Sequence, residues 1–258
     1  MPIIKITGYL NGVSYYLVNG KQRQRIPNPP TKEQIYNDPR FASVRANNKE
    51  FGGASTLAKA IGVGLGTHLK FFKDSRFTSR LTGALRHLIQ RGSGSPGQRE
   101  ANLYNHPETL IGLQLHKGKV FNQIFTADLK LEIKQDSPTL IIPKITPSHL
   151  SQYPKSATHF KLTAALVPVS PYQWQAKAQK YQPLYPSENA LGVTAETPPL
   201  LCGENHINTT LHLPNPIKAE TNPDTALTIW LGISFGKMKT HQFEPFQTAR
   251  AMECIAIL

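Results

Sequence analysis

The stretch that decides the fold is residues 227–235, LTIWLGISF, in which a large apolar side chain occupies every second position. Such alternation is typical of a β-strand, because successive side chains point to opposite faces of a sheet. Residues 125–133, 159–166 and 206–213 alternate in the same way. Each strand should therefore have one dry and one solvated face, as in antiparallel sheets that pack face to face.

The second part of the chain, residues 101–258, is predicted to be an antiparallel β-sandwich of immunoglobulin-like or jelly-roll type. Roughly seven to nine strands would fit a segment of this length. Fifteen of the 21 prolines follow residue 106, and helical periodicity is lost there. Residues 251–258 are predicted to form a last strand; its tail at 255–258 is uncharged and free of proline, so its edge must be paired or covered.

Two Asn-Gly pairs, at 11–12 and 19–20, organise the N-terminus. Asn-Gly is preferred in two-residue type I′ hairpin turns, because both positions need a positive φ. Two such turns in series predict a three-stranded meander with strands near 3–10, 13–18 and 21–26. The turns also set the register, so that Tyr16 should face Arg23 and Ser14 should face Arg25.

The two faces of this meander should differ in chemistry, since side chains alternate along each strand. One face is predicted to be basic and interleaved with tyrosines: Lys5, Thr7, Tyr9, Ser14, Tyr16, Lys21, Arg23 and Arg25. The other is predicted to be core: Ile4, Ile6, Leu10, Val13, Tyr15, Leu17 and Ile26. Cations beside aromatic rings suit contacts to phosphates and bases. The alternative is an ordinary solvated face with cross-strand Tyr–Arg pairs.

Two helices are predicted to follow. The first begins near Asp38-Pro39, an N-cap followed by proline, and carries an apolar stripe to Phe72. Its five glycines, at 52, 53, 62, 64 and 66, either break the helix or let another backbone approach closely. The second helix should run from Asp74 or Ser75 to Arg91. On it Arg76, Arg80, His87 and Arg91 form a stripe that could follow a phosphate backbone, or be a solvated face. Residues 92–97, GSGSPG, are typical of a flexible linker.

A resemblance covers about the first hundred residues. The segments 37–53, NDPRFASVRANNKEFGG, and 74–82, DSRFTSRLT, resemble an uncharacterised bacterial family. Its members pair a short N-terminal β-hairpin and this Arg/Asn-rich helical segment with a β-rich C-terminal domain. The resemblance implies an α+β architecture of two modules and transfers no catalytic residues.

Charge divides the chain in the same place. Residues 1–100 carry 16 Lys/Arg against 5 Asp/Glu, whereas residues 101–258 carry 13 against 11. We therefore expect a basic module, 1–100, that binds nucleic acid or another polyanion without catalysis, joined to a β-sandwich domain, 101–258, in a protein that self-associates. The alternative is a structural protein that forms a filament, shell or lattice through arm exchange and strand pairing.

The remaining chemistry is sparse. Cys202 and His206 are close enough in sequence to suggest a nucleophile and base, so an enzyme is the third hypothesis. His206 and His212 would lie about 20 Å apart on a strand, too far to share a metal. We expect no cofactor and no metal. The two cysteines, the lack of a signal sequence and the lack of a long apolar run predict a cytoplasmic protein with free thiols and no membrane span. The uncharged tail of the last strand predicts a homo-oligomer, since an exposed edge must be paired or covered.

Overall fold

The computed structural model describes residues 6–134, 137–218 and 220–258. The contacts divide the chain into two compact units, Met1–Arg45 and Ala46–Leu258. The sequence-based boundary at residue 100 lies inside the second unit. That residues 1–100 form a separate module stays a prediction.

The first unit contains the meander and one short helix. The strands are β1 (Gly8–Leu10), β2 (Val13–Val18) and β3 (Lys21–Arg25), in the order β1-β2-β3. Both Asn-Gly turns have positive φ at both positions, as type I′ requires. A helix that the sequence analysis missed, α1 (Lys32–Asn37), follows the prolines; it begins with a capping box formed by Thr31 and Gln34. The segment Thr31-x-x-Gln34 was its available sequence signal.

The predicted core face of the meander is wrong for the residues that the structure describes. No described side chain of β1, β2 or β3 is buried, and Ile26 is 76% exposed. Three strands of at most six residues present an apolar face that no described side chain covers completely. Ile4 and Lys5 lie outside the described residues, as does the predicted start of the first strand.

The two long helices follow the sequence prediction closely, whereas the four-residue helix at 121–124 was not predicted. A 3₁₀ turn, Pro39–Phe41, leads into α2 (Ala42–Phe72); α3 (Phe77–Arg91) and α4 (Phe121–Ile124) come later. The Asp38 side chain caps the 3₁₀ turn by accepting a hydrogen bond from the Arg40 amide. Further 3₁₀ turns are Pro107–Thr109, Pro147–His149 and Pro186–Glu188.

The glycines of α2 break the helix at one position and allow a close approach of another backbone at a second position. Gly66 has non-helical angles (φ 56°, ψ −136°) and kinks the helix. Gly64 permits a close approach instead: a Cβ there would lie 2.3 Å from the Leu191 carbonyl oxygen and 2.4 Å from a Val167 methyl group. The helix thus rests directly on the sheet at Gly64.

The β-rich part, as far as the structure describes it, has ten strands in three antiparallel sheets. They are β4 (Lys130–Lys134), β5 (Ser137–Ile145), β6 (His159–Val169), β7 (Tyr172–Gln175), β8 (Lys180–Pro183), β9 (Val193–Glu196), β10 (Leu200–Leu201), β11 (His206–His212), β12 (Ala226–Lys239) and β13 (Gln242–Ile257). A five-stranded sheet runs β10-β6-β12-β13, with β9 also paired to β6. A second sheet runs β11-β5-β4, and β7 pairs with β8. The α+β class with an antiparallel sandwich is therefore confirmed. The strand predicted at 125–133 is shorter, beginning only at Lys130.

Two hydrophobic cores of described residues lie on opposite faces of the five-stranded sheet. One core joins Leu162 and Leu166 of β6 to Leu140 of β5. The other joins α2 and α3 to residues of β6, β12 and β13, including Trp230. The prediction of a solvated face on β6 and β12 is therefore wrong, because the helices cover it. Thr228, Trp230 and Ser234 of β12 are all buried.

Candidate nucleic-acid interface

The pairing of the meander strands gathers five of the ten predicted contact residues on one face. Tyr9 lies opposite Ser14, which lies opposite Arg25, and Tyr16 lies opposite Arg23. Directly opposed residues of antiparallel strands share a face, with Cβ atoms about 4.5–5.5 Å apart. The predicted register is confirmed. Val18, opposite Lys21, shares this face, and strand alternation alone could have placed it there.

We call this face the basic face; it consists of Tyr9, Ser14, Tyr16, Lys21, Arg23 and Arg25. It is accessible, and all of its charged side chains are cations. All five residues of β3 are exposed, and the Tyr9 side chain is 70% exposed. Residues 1–32 contain no Asp or Glu. Among the described residues, no ion pair involves the cations of β3. The basic face thus presents charge that no described carboxylate neutralises.

The stripe predicted on α3 is arranged differently, because Arg80 is held inside the second unit. Its guanidinium donates to both carboxylate oxygens of Asp74, at 2.9 and 2.8 Å, and to the carbonyl oxygens of Gln114 and Leu115, both at 3.1 Å. Asp74 also accepts from the Arg76 and Lys117 amides. Burial raises the Asp74 pKa, but the Arg80 hydrogen bonds and these amides outweigh it and hold the pKa well below its usual range. Arg80 therefore anchors a loop.

The other members of the stripe remain at the surface. Arg76 and His87 are exposed, and a His87 ring nitrogen lies 3.2 Å from the Gln90 side-chain oxygen. Arg91 donates to Glu108 at 2.8 Å in an exposed ion pair. Such a surface pair is worth about 0–1 kcal/mol, so it leaves the Arg91 side chain able to exchange partners. The stripe belongs to the second unit and the basic face to the first.

The predicted flexible linker at 92–97 is wrong, because this segment is pinned to α2. The Gly97 amide donates to Oε1 of Glu50 at 2.8 Å, and Arg99 donates to the same oxygen at 3.3 Å. The Glu50 side chain is almost fully buried. Gly97 has φ 83°, and a Cβ there would lie 2.8 Å from Ala46 Cα. Nothing in the local sequence GSGSPG could have indicated a partner 47 residues earlier.

The Cys202–His206 pair does not have the surroundings of a nucleophile and base. Cys202 follows β10 in a turn and is buried, and burial raises the pKa of its thiol to about 11. A reactive cysteine needs the opposite shift, toward a stable thiolate. His206 places Nε2 at 2.9 Å from the Leu201 carbonyl oxygen and its ring edge-on against Phe160. Both side chains serve packing at the end of the sandwich.

A pocket of about 280 Å³ lies beside the 3₁₀ turn Pro186–Glu188 and is lined by residues including Glu188, Leu191 and Ile217. The Glu188 carboxylate is buried and already accepts hydrogen bonds from the Asn222 amide and side chain and from the Thr225 hydroxyl. Both of its oxygens accept hydrogen bonds, so this carboxylate anchors the loop before β12.

Comparison with known proteins gives no relative to draw on: no protein-family model, curated protein or solved structure matches the chain. None of the helices in the described part is long and apolar enough to cross a bilayer. Within residues 6–134, 137–218 and 220–258, no group of three or more His, Cys, Asp or Glu side chains is placed to hold a metal ion.

Proposed function

We propose that the protein binds nucleic acid, or a polyanion of similar charge density, through the basic face of its first unit and without catalysing a reaction. The observation that carries this proposal is the cross-strand register. It puts Lys21, Arg23 and Arg25 on one exposed face together with two tyrosines. The cationic side chains can contact the phosphates of a nucleic acid, and the aromatic rings beside them can contact its bases.

The electrostatic balance supports the same proposal. Burial of a cation against phosphate releases condensed counterions, so each contact strengthens binding at low salt. Contacts to carboxylates would compete with phosphate, and the meander contains none. Arg76, at the N-cap of α3, and His87, on α3, stay predicted contacts, whereas Arg80 is already engaged with Asp74.

The test replaces Lys21, Arg23 and Arg25 by Gln and measures binding of labelled oligonucleotides by fluorescence anisotropy across a salt series. Each lost phosphate contact should reduce the magnitude of the slope of log affinity against log salt by about 0.7–0.9, so the triple variant should lose about 2–3. The matched control replaces three exposed lysines of the second unit, Lys155, Lys177 and Lys180, by Gln.

Both triple variants change the net charge equally. Binding that falls only in the Lys21/Arg23/Arg25 variant supports the proposal. An equal fall in both would indicate a general charge effect, and unchanged binding in both would contradict the basic face as the contact surface.

A second candidate function is self-association through the opposite face of the meander. Leu10, Leu17 and Ile26 are exposed there, and contiguous exposed apolar residues mark interaction surfaces more often than free surface. Sedimentation velocity at tens of micromolar should give oligomers for the natural chain and monomers when Leu10 and Leu17 are replaced by Ser. A monomeric natural chain would exclude this candidate.

A further inference from the structure

We infer that the ligand of the basic face is single-stranded nucleic acid, held by stacking of unpaired bases on Tyr9 and Tyr16. This inference rests on the proposed function and goes one step beyond it. Charge alone does not distinguish a duplex from a single strand, because both carry phosphates. The two tyrosines provide the distinction, since a ring face can be stacked only by a base whose own face is free.

The position of the two tyrosines follows from the register. Tyr9 of β1 is opposite Ser14 of β2, and Tyr16 lies two residues after Ser14 on β2. Diagonal neighbours of this kind are about 7–8 Å apart across an antiparallel pair. The side chains are 70% and 41% exposed, so both rings meet solvent.

This spacing is about twice the 3.4 Å rise between successive bases on one strand of a duplex. Two rings so placed accept one base between them, or one unstacked base each. In a closed duplex the bases are paired and stacked on each other, so neither arrangement is available. An extended single strand supplies both at little cost.

The cations lie where the backbone of such a strand would run. Arg23 is directly opposite Tyr16, and Arg25 lies on the row of Ser14 and Tyr9. Each ring thus has a guanidinium on its own cross-strand row, on the edge strand β3. A backbone along β3 would reach both guanidiniums while its bases turn inward over the rings, as in other sheets that bind single strands.

Base identity should matter little at this surface. Beyond the rings and the cations, the paired strands place only the Ser14 hydroxyl and the Val18 methyl groups on this face. Every base has a π-face, so stacking tolerates any sequence. The expected ligand is therefore an unpaired strand of DNA or RNA with at most a weak base preference.

The experiment compares a labelled oligothymidine of about a dozen nucleotides with a DNA hairpin of equal phosphate number whose loop is a non-nucleotide linker, using the full chain and fluorescence anisotropy. The natural protein should bind the single strand at least about tenfold more tightly than the hairpin. Replacing Tyr9 and Tyr16 by Ala should weaken single-strand binding by about tenfold or more while leaving hairpin binding and the salt slope unchanged.

Two further variants separate stacking from damage to the fold. Tyr9→Phe with Tyr16→Phe keeps the rings and should retain single-strand binding. Tyr36→Ala with Tyr104→Ala removes two exposed tyrosines outside the sheet and should have no effect.

The outcomes distinguish the inference from the proposal beneath it. Equal affinity for hairpin and single strand, or loss of binding in the Phe variant as well, overturns the single-strand inference and leaves the proposed function standing. Binding of neither oligonucleotide by the natural protein overturns both.

Discussion

Two glycines of α2 should respond to the same substitution in opposite directions. At Gly64, an Ala side chain would place its methyl group 2.3 Å from the Leu191 carbonyl oxygen and 2.4 Å from a Val167 methyl group. Both neighbours are constrained, one as backbone and one as a fully buried side chain of β6. At Gly52 the position of the added methyl group is open, with nothing within 4 Å.

The magnitudes follow from two competing effects. Ala favours a helix over Gly by about 1 kcal/mol at either site. Overpacking against a rigid wall costs about 1–3 kcal/mol, occasionally more, and the contacts at Gly64 are close enough to reach the upper value. We expect Gly52→Ala to raise the free energy of unfolding by about 1 kcal/mol and Gly64→Ala to lower it by about 2 kcal/mol.

Urea unfolding followed by tryptophan fluorescence measures both, because Trp230 lies in the core that α2 shares with the sheet. With a slope of about 3 kcal/mol per molar urea, the two midpoints should differ by about 1 M. A Gly64→Ala midpoint at or above that of the natural chain would refute the close approach of helix and sheet. A lowered midpoint for Gly52→Ala would refute the open environment assigned to that position.

Three further expectations concern other parts of the second unit. Glu50→Ala should lower the free energy of unfolding by about 2–3 kcal/mol in urea, because the Gly97 amide loses its acceptor; an unchanged midpoint would contradict the pinned segment. Thr240 and His241 both have positive φ in the β12–β13 turn, so replacing them by Asn and Gly should raise Tm by a few degrees in calorimetry. An unchanged Tm would contradict strain in this turn. Alkylation of Cys202 by iodoacetamide should accelerate about tenfold per pH unit from about pH 8 to 10, because its raised pKa of about 11 keeps the thiol protonated; fast, pH-independent reaction between about pH 6 and 8 would reveal a thiolate.

Local signals predicted the strands of the meander and the two long helices, α2 and α3, well. The Asn-Gly pairs determined both turns and therefore the register of Tyr16 with Arg23, since a two-residue turn leaves only one pairing. The Asp38 cap marked the start of the helical segment. These predictions succeeded because the residues that decide them are neighbours in sequence.

The solvated face expected on β12 failed for a physical reason. Thr228 looked like a surface residue, but its hydroxyl donates to the Val167 carbonyl oxygen at 2.8 Å and accepts from the Trp230 indole at 2.9 Å. A buried polar side chain is tolerated once it is hydrogen-bonded, so polarity at alternate positions did not mean exposure. The continuous apolar run of β6, LTAALVPV at 162–169, was the better signal, since strands buried on both faces have this composition.

For the candidate site, the sequence predicted which residues share the basic face but not which cations are free. Arg80 and Arg23 look alike in a charge count. Arg80 is occupied by carbonyl groups 34 and 35 residues away, which no local pattern reveals. Partners at such separations are fixed by tertiary packing.

The core that α2 and α3 share with β12 and β13 has a consequence for biosynthesis. The apolar face of the helices is complete once Ile89 has been made, but its cover includes Cys254, roughly 160 residues later. At about 5–20 residues per second, the helices wait about 10–30 s for the last of their partner strands. During that interval Leu57, Leu65 and Leu85 lack their complete apolar cover, and factors that bind the nascent chain at the ribosome must shield them. The order of synthesis therefore means that the core that α2 and α3 share with the sheet is complete only after β13 has been made.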